Sequence, residues 1–472
     1  MLQRRLGLLQ AVSLNMSMMV GIGPFITIPT LLGTMGGPQA MLGWILGGLV
    51  ALGDGMVWSE LAAAFPGSGG TYHFYDAIYG ESRAGRLLKF LFVWQFLFSG
   101  PLEVATGAIG VARYLGYFFP VLDRPAWKWA EILSGLGGAV TWGQVGAVGV
   151  LALVTFLAYR RIAAAGRLMV VLWGGMLITV AWVIGTGLIH FDAARAFDFP
   201  ASAWNADGRW FVGLGMALGI AMYDFLGYYQ ICYLGDEVAD PPRTLPRSIL
   251  ISTLAICAVY FVMNLGIIGV LPWSEVVKSN RVASDLMLRT QGEGAAAVVT
   301  ALIVWTAVAS TFAAVLGYSR IPYASARAGH FFRVFAATHP TGDFPHRSLL
   351  LVSGMAMIAC LADLETVIAA LLTARIPIQF VGQIATVFYW RSRPNGRPPV
   401  FRMPWYPMPA VVALLGWLYV FGASELHVMI YGLGSVVLGV IVFVIWDRLT
   451  GDETSGKDPD AGGSLASGSA GE

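Results

Sequence analysis

Residues 15–30 read NMSMMVGIGPFITIPT. They lie in an apolar run, 11–33, long enough to cross a bilayer, which takes about 20 apolar residues. Yet Gly21, Gly23, Pro24 and Pro29 are poor helix material. Glycine costs about 1 kcal/mol against alanine in a helix interior, and proline about 3. In hydrocarbon, each freed N–H or C=O costs several more unless the protein satisfies it. Two readings stand side by side. One is a proline kink or close helix packing. The other is an unwound segment lining a buried cavity, where irregular backbone is tolerated at this depth.

The whole chain supports a membrane setting. It has 472 residues, 57% hydrophobic and only 12% charged, with a mean hydropathy of +0.69. Soluble domains carry roughly 25% charged residues. A net charge of +2 gives no reason to expect a nucleic-acid partner. Cys232, Cys257 and Cys360 all lie in apolar runs, where packing is their expected role, with neither disulfide nor metal implied. The first apolar run is followed by many of equal length, so it reads as a mature span and not a cleaved signal. Twelve spans are expected, at 11–33, 40–64, 91–119, 137–158, 168–189, 209–234, 248–271, 295–325, 347–363, 366–390, 406–423 and 427–447. The Gly/Ser/Asp-rich tail, 450–472, reads as disordered.

Basic residues set the orientation. With the N-terminus inside, the cytoplasmic segments hold 20 of the 29 Lys and Arg residues and the external loops 7. Both termini are therefore expected in the cytoplasm. Compact loops fit the inner (cytoplasmic) membrane of a bacterium.

A second interruption falls in the sixth span, at AMYDFLGYYQ, 221–230, where Asp224 and Gly227 sit near the middle. The two breaks correspond if spans 1–5 and 6–10 are repeats. Paired interruptions of this kind point to a transporter's central site. A half-helix N-terminus offers N–H groups to an anionic ligand group, and unwound carbonyls can receive an ammonium or cation. Pro24 suits the start of the outer half-helix, where its missing N–H is no loss.

Five stretches carry a family resemblance: GIGPF at 21–25, ELAAAFPGSGGTYHFYDAIYG at 60–80, YDFLGYYQICYLGDEVADPPRTLPRSI at 223–249, GYSRIPYASARAGHFF at 317–332 and VGQIATVFYWRSRPNGRPPVFRMPWYP at 381–407. In order and spacing the chain resembles the amino acid–polyamine–organocation superfamily of permeases. The resemblance implies an all-α integral membrane fold of twelve helices. Five plus five form an inverted repeat (1–190 and 191–390), with helices 1 and 6 discontinuous and two more helices in 391–449. It implies secondary active transport of amino acids or related amines by alternating access. Carried onto this sequence, Gly21, Ile22 and Gly23 offer N–H groups to a substrate carboxylate. Pro24 departs from the family residue and removes one donor. Tyr223 stands at the aromatic gate, and Asp224, Phe225, Leu226 and Gly227 supply carbonyls to the ammonium.

Charged side chains at mid-bilayer cost at least about 2.5–3.5 kcal/mol on insertion scales. Glu103, Asp224, Asp54 and Arg375 all fall inside spans. Arg375 can pair with one acid as a structural ion pair, and a remaining acid can bind an amine or carry a proton. Glu103 and Asp54 resemble acidic positions of the polyamine-uptake branch, which raises cationic amines as an alternative substrate class. Ser310 and Thr311 match a sodium-site position, or else bond their own helix backbone. Coupling stays open among sodium, proton and exchange, with no other cofactor expected. Some members of the superfamily join a partner subunit through a cysteine in the external loop between spans 3 and 4. That loop, 120–136 here, has none, so the resemblance implies no disulfide-linked heavy chain and a monomer or loose homodimer. Six scattered histidines and no His-Glu-x-x-His spacing argue against an enzyme. A channel or sensor is the remaining rival. On the cytoplasmic side, Glu60, Glu237, Arg243 and Arg247 are expected to shape loops or form gating ion pairs.

Overall fold

The computed structural model describes residues 6–126, 140–159, 165–340, 344–393 and 400–455. All named elements among them are helical. The first apolar run forms α1 (Leu8–Met19) and α2 (Gly23–Met35), bent by 50° at the break between them. Next come α3 (Leu42–Ala64), a short α4 (Thr71–Tyr79) and a long α5 (Arg83–Leu115). After α6 (Trp142–Tyr159) and α7 (Ala165–Ile189), α8 covers Gly208–Phe225. A 3-10 segment, Gln230–Glu237, leads into α9 (Pro241–Val270). The chain continues through α10 (Val282–Gln291), α11 (Glu293–Arg327) and α12 (His346–Ala359). A π-helical turn, Ile376–Val381, joins α13 (Leu364–Arg375) to α14 (Gly382–Arg391). Two last helices follow, α15 (Met408–Ala423) and α16 (Leu426–Ser455).

Among the described residues, eight helices are long and apolar enough to span a membrane, and the bent α1–α2 pair makes a ninth candidate. Gly174–Ile189, α12 and α15 are shorter apolar helices. Helix ends follow capping chemistry more than hydropathy. Ser82 accepts from Gly85 N and starts α5 eight residues ahead of the expected span. Asp207 likewise caps α8 through Trp210 N at 2.8 Å. Hydropathy sees only the apolar part of such helices, because charged turns extend past the lipid into water. The last helix runs to Ser455, so the expected tail begins inside it, and 456–472 lie outside the described residues.

Helices α8 and α9 both lie along α3, and α11 lies along α5. Small residues permit the close crossings. At Gly43 a Cβ would stand 2.8 Å from the Ala217 backbone of α8. These two groups bring the α1–α2 break and the end of α8 together.

Candidate functional site

Three residues, Val20, Gly21 and Ile22, separate α1 from α2. Gly23 and Pro24 are already the first residues of α2. Proline is tolerated there because first-turn N–H groups have no intrahelical acceptor anyway. The break therefore sits slightly earlier than the sequence suggests. The second break sits slightly later: Asp224 and Phe225 close α8, and Leu226–Tyr229 are non-helical. Gly227 adopts φ +116, a region side chains rarely occupy, and a Cβ there would lie 2.9 Å from Met18 Cβ and 3.1 Å from Met19 N. The second break thus presses on the last turn before the first.

Side chains tie them further. Asn15 Oδ1 accepts from Ile231 N at 2.9 Å, and its Nδ2 donates to Ser252 Oγ at 3.3 Å. Tyr260 OH donates to the Met19 carbonyl at 2.6 Å. That carbonyl ends α1 and also accepts from Gly21 N at 3.0 Å, so two donors satisfy it where the helix no longer can.

A cavity of about 490 Å³ opens at the junction. Gly21, Ile22 and Gly23 line it, with Glu103, Thr106 and Gly107 of α5, Tyr223 and Asp224 at the end of α8, and Leu226 of the second break. Thr306, Ser310, Thr311 and Tyr318 of α11 close another wall. From the breaks the cavity follows α1 past Ser17 and Ser13 to Leu9, near that helix's N-terminal end. On its other side Tyr223 OH donates to Thr106 Oγ1 at 2.7 Å.

The four intramembrane charges have different surroundings. Asp224 Oδ2 accepts from Thr27 Oγ1 at 2.6 Å, while its buried Oδ1 has no hydrogen-bond partner among the described residues. A Cβ on Gly23 would collide with that oxygen at 2.2 Å, so the carboxyl lies directly over the start of α2. Glu103 reaches the cavity but is held by Arg375 at 2.6 Å; Arg375 Nε also donates to Ser99 at 3.1 Å. Arg375 is 2% exposed and lies outside the cavity lining. Asp54 is fully buried and also outside it, accepting from Tyr228 OH.

Other expected residues divide. Phe225 and Gly227 sit at the junction without lining the cavity, and Phe225 packs edge-on against Trp44 with centroids 5.6 Å apart. Pro24 is buried and outside the lining. Ser310 and Thr311 line it, yet both hydroxyls donate to Ala307 O, at 3.0 and 2.8 Å. Glu60 makes a bidentate pair with Arg391 at 2.6 and 2.7 Å, whereas among the described residues Arg243 pairs with Asp240. Among the described residues no His/Cys/Asp/Glu group could hold a metal.

Sequence reasoning missed Asn15, Thr27, Thr106 and Tyr318. Asn15 stood in the opening stretch, and an amide inside an apolar run was the available signal. The π-helical turn beside Arg375 had its own signal, Pro377. Away from the spans, Lys89 is buried and bonds Asp76 and Glu81, each at 2.7 Å. Its ammonium holds the Glu81 carboxyl below the usual range.

Residues 6–445 match the family model described as amino acid permease. The chain is 30% identical over 366 residues to an uncharacterized transporter of Mycobacterium tuberculosis, covering 77% of this chain and 75% of that protein. It is 24% identical over 446 residues to the serine/threonine exchanger SteT of Bacillus subtilis, covering 93% and 95%. It is 26% identical over 473 residues to the Asc-type amino acid transporter 1 of Mus musculus, covering 94% and 81%. The matched proteins are transporters and not enzymes.

Proposed function

This chain belongs to the amino acid permease family, and from that premise we propose that it is a secondary transporter of amino acids working by alternating access. The observation that carries the reading is the meeting of two helix breaks, Gly227 against Met18 and Met19, beside a cavity of about 490 Å³. The full arrangement is twelve spans: α1–α2 and α8 with its following segment are the two discontinuous ones, and spans 1–5 and 6–10 form an inverted repeat. The bias of basic residues toward one set of loops puts both termini in the cytoplasm. The cavity then leads to the cytoplasmic side along α1, with the Tyr223–Thr106 bond closing the opposite side.

In this reading the N–H groups heading α2, at Ile22 and Gly23, receive the substrate carboxylate. The carbonyl ends of α8 and the free Asp224 Oδ1 receive the ammonium. Thr27 fixes the carboxyl so that one oxygen remains for substrate. Tyr223 moves when the outer side opens, breaking its bond to Thr106. Serine and threonine are the first substrates to try, by analogy with the exchanger at 24% identity.

A cationic amine is the second reading, favoured by the unpaired Asp224 Oδ1. Glu103 adds less to it, because Arg375 already neutralises that acid. The test is counterflow in proteoliposomes loaded with unlabelled substrate, using radiolabelled amino acids and polyamines in turn. Saturable counterflow of an amino acid is expected. Counterflow of polyamines alone would replace the first reading with the second, and unsaturable flux would point to a channel.

A further inference from the structure

Asp54 lies in the stretch LGDGMVW of α3, the one ionisable side chain among eighteen preceding-to-central residues of that helix, Leu42–Ser59. Its side chain is fully buried and outside the cavity. Isolated buried carboxylates are costly, and a cation, a proton or several donors must compensate. No cation does so among the described residues. Arg391 is bound to Glu60 one helix region below, and Arg375 to Glu103. Arg243 and Arg247, at the start of α9, are exposed. What faces the carboxyl is a set of neutral donors: Tyr228 OH, bonded to Oδ2, and the indole N–H groups of Trp58 and Trp417. Tyr229 is the nearest further titratable group, stacked on Trp58 at 4.4 Å. On α9 Cys257 meets Gly48, six residues along α3 from Asp54, and Tyr260 donates to Met19 O, while Asp224 at the end of α8 is bonded to Thr27. On α15 the one titratable group is Tyr419, which donates away to Phe211 O. Asp54 Oδ1 and both indole nitrogens have no hydrogen bond of good geometry in this conformation.

The place of Tyr228 gives this acid its interest. It is one of the four non-helical residues of the second break. Two residues earlier, Leu226 lines the cavity, and between them Gly227 presses on Met18. One short segment therefore touches the cavity on one side and Asp54 on the other. Any rearrangement of the break on substrate binding pulls on the Tyr228–Asp54 bond.

We propose that Asp54 carries the coupling proton of this transporter. Its carboxylate takes up one proton from one side of the membrane and releases it on the other. Tyr228 links that exchange to the movement of Leu226–Tyr229. This rests on the reading of the cavity as the transport site.

Asparagine at 54 keeps an oxygen that can accept from Tyr228 and cannot titrate, so it separates proton carriage from packing. The experiment uses the full chain in proteoliposomes and the radiolabelled amino acid of the panel above that the wild type exchanges fastest. Under an inward proton gradient the wild type should accumulate it, with proton influx read by an internal pH dye. Asp54→Asn should keep counterflow within about twofold of wild type and lose both accumulation and substrate-dependent proton influx. Accumulation by Asp54→Asn, or a wild type indifferent to the gradient, overturns the proposal while leaving the transport reading intact. Loss of counterflow in well-assembled Asp54→Asn also overturns it, since the residue would then serve packing or binding. If that variant does not assemble, Tyr228→Phe carries the test: it must shift the pH profile of gradient-driven uptake, and an unmoved profile overturns the proposal. Absence of wild-type counterflow would instead count against the cavity itself.

Discussion

The two helix breaks differ in how they are held. The first, Val20–Ile22, is three residues long and passes straight into a regular helix. Gly21 and Ile22 line the cavity, and the nearest atom to a Cβ built on Gly21 is Ser310 Oγ at 3.9 Å. The second, Leu226–Tyr229, is longer and passes into a 3-10 segment. Side chains from other helices grip it and the 3-10 segment after it: Asp54 at Tyr228, Trp58 stacked on Tyr229, and Asn15 at Ile231 N. In the transport reading proposed above, the short open break is the binding face, offering backbone to a ligand, and the long gripped break is the moving part.

Substitutions can break that contrast. The largest effect belongs to Gly23→Leu: its Cβ alone would meet Asp224 Oδ1 at 2.2 Å. We expect uptake to vanish with membrane insertion intact, as read by transport assay and by yield of monodisperse protein. Gly227→Ala attacks the gripped break. It strains a residue at φ +116 by about 1–3 kcal/mol and crowds Met18, so both transport rate and melting temperature should fall. Glu103→Gln strips Arg375 of its counter-charge. Losing one partner of a buried pair costs about 3–5 kcal/mol, and less here because Glu103 reaches the cavity, so a drop of several degrees in melting temperature is expected. Asn15→Ala removes two hydrogen bonds, each worth about 0.5–1.5 kcal/mol net. It should slow transport more than it weakens substrate binding, because it loosens the tie of α1 to α9 and to the segment after the second break while lining no part of the cavity. Least affected should be Glu81→Gln: the acid is open to water, and the buried Lys89 ammonium keeps Asp76 at 2.7 Å as its counter-charge, so transport at neutral pH should be unchanged.

Much of this arrangement was legible in the residues themselves. Gly21 and Gly227 are costly in a membrane helix and fall in the two breaks, while Gly23 and Pro24 open the helix that follows the first. The shift of each break by one or two residues was not legible. Proline is at home in a helix's first turn, and only the capping geometry decides which residue begins it. Partners were less visible than positions. Arg375 and Glu103 announce themselves as charges in apolar runs, but their 272-residue separation leaves the choice of partner to the packing of α5 against α13. Thr27 and Thr106 gave no signal, because threonine in a membrane helix ordinarily bonds its own backbone. The early start of α5 was hidden for a simpler reason: hydropathy records lipid contact and not helix length.

The most direct test of the central claim uses a single cysteine at Gly21, in a background lacking the three native cysteines. The site has room for the side chain. A membrane-impermeant thiol reagent should label it from the side of the α1 N-terminus, and a transported amino acid should slow that labelling severalfold while a non-transported one does not. Labelling only by a lipid-soluble reagent, with no protection by any transported amino acid, would place the first break against acyl chains and contradict the account.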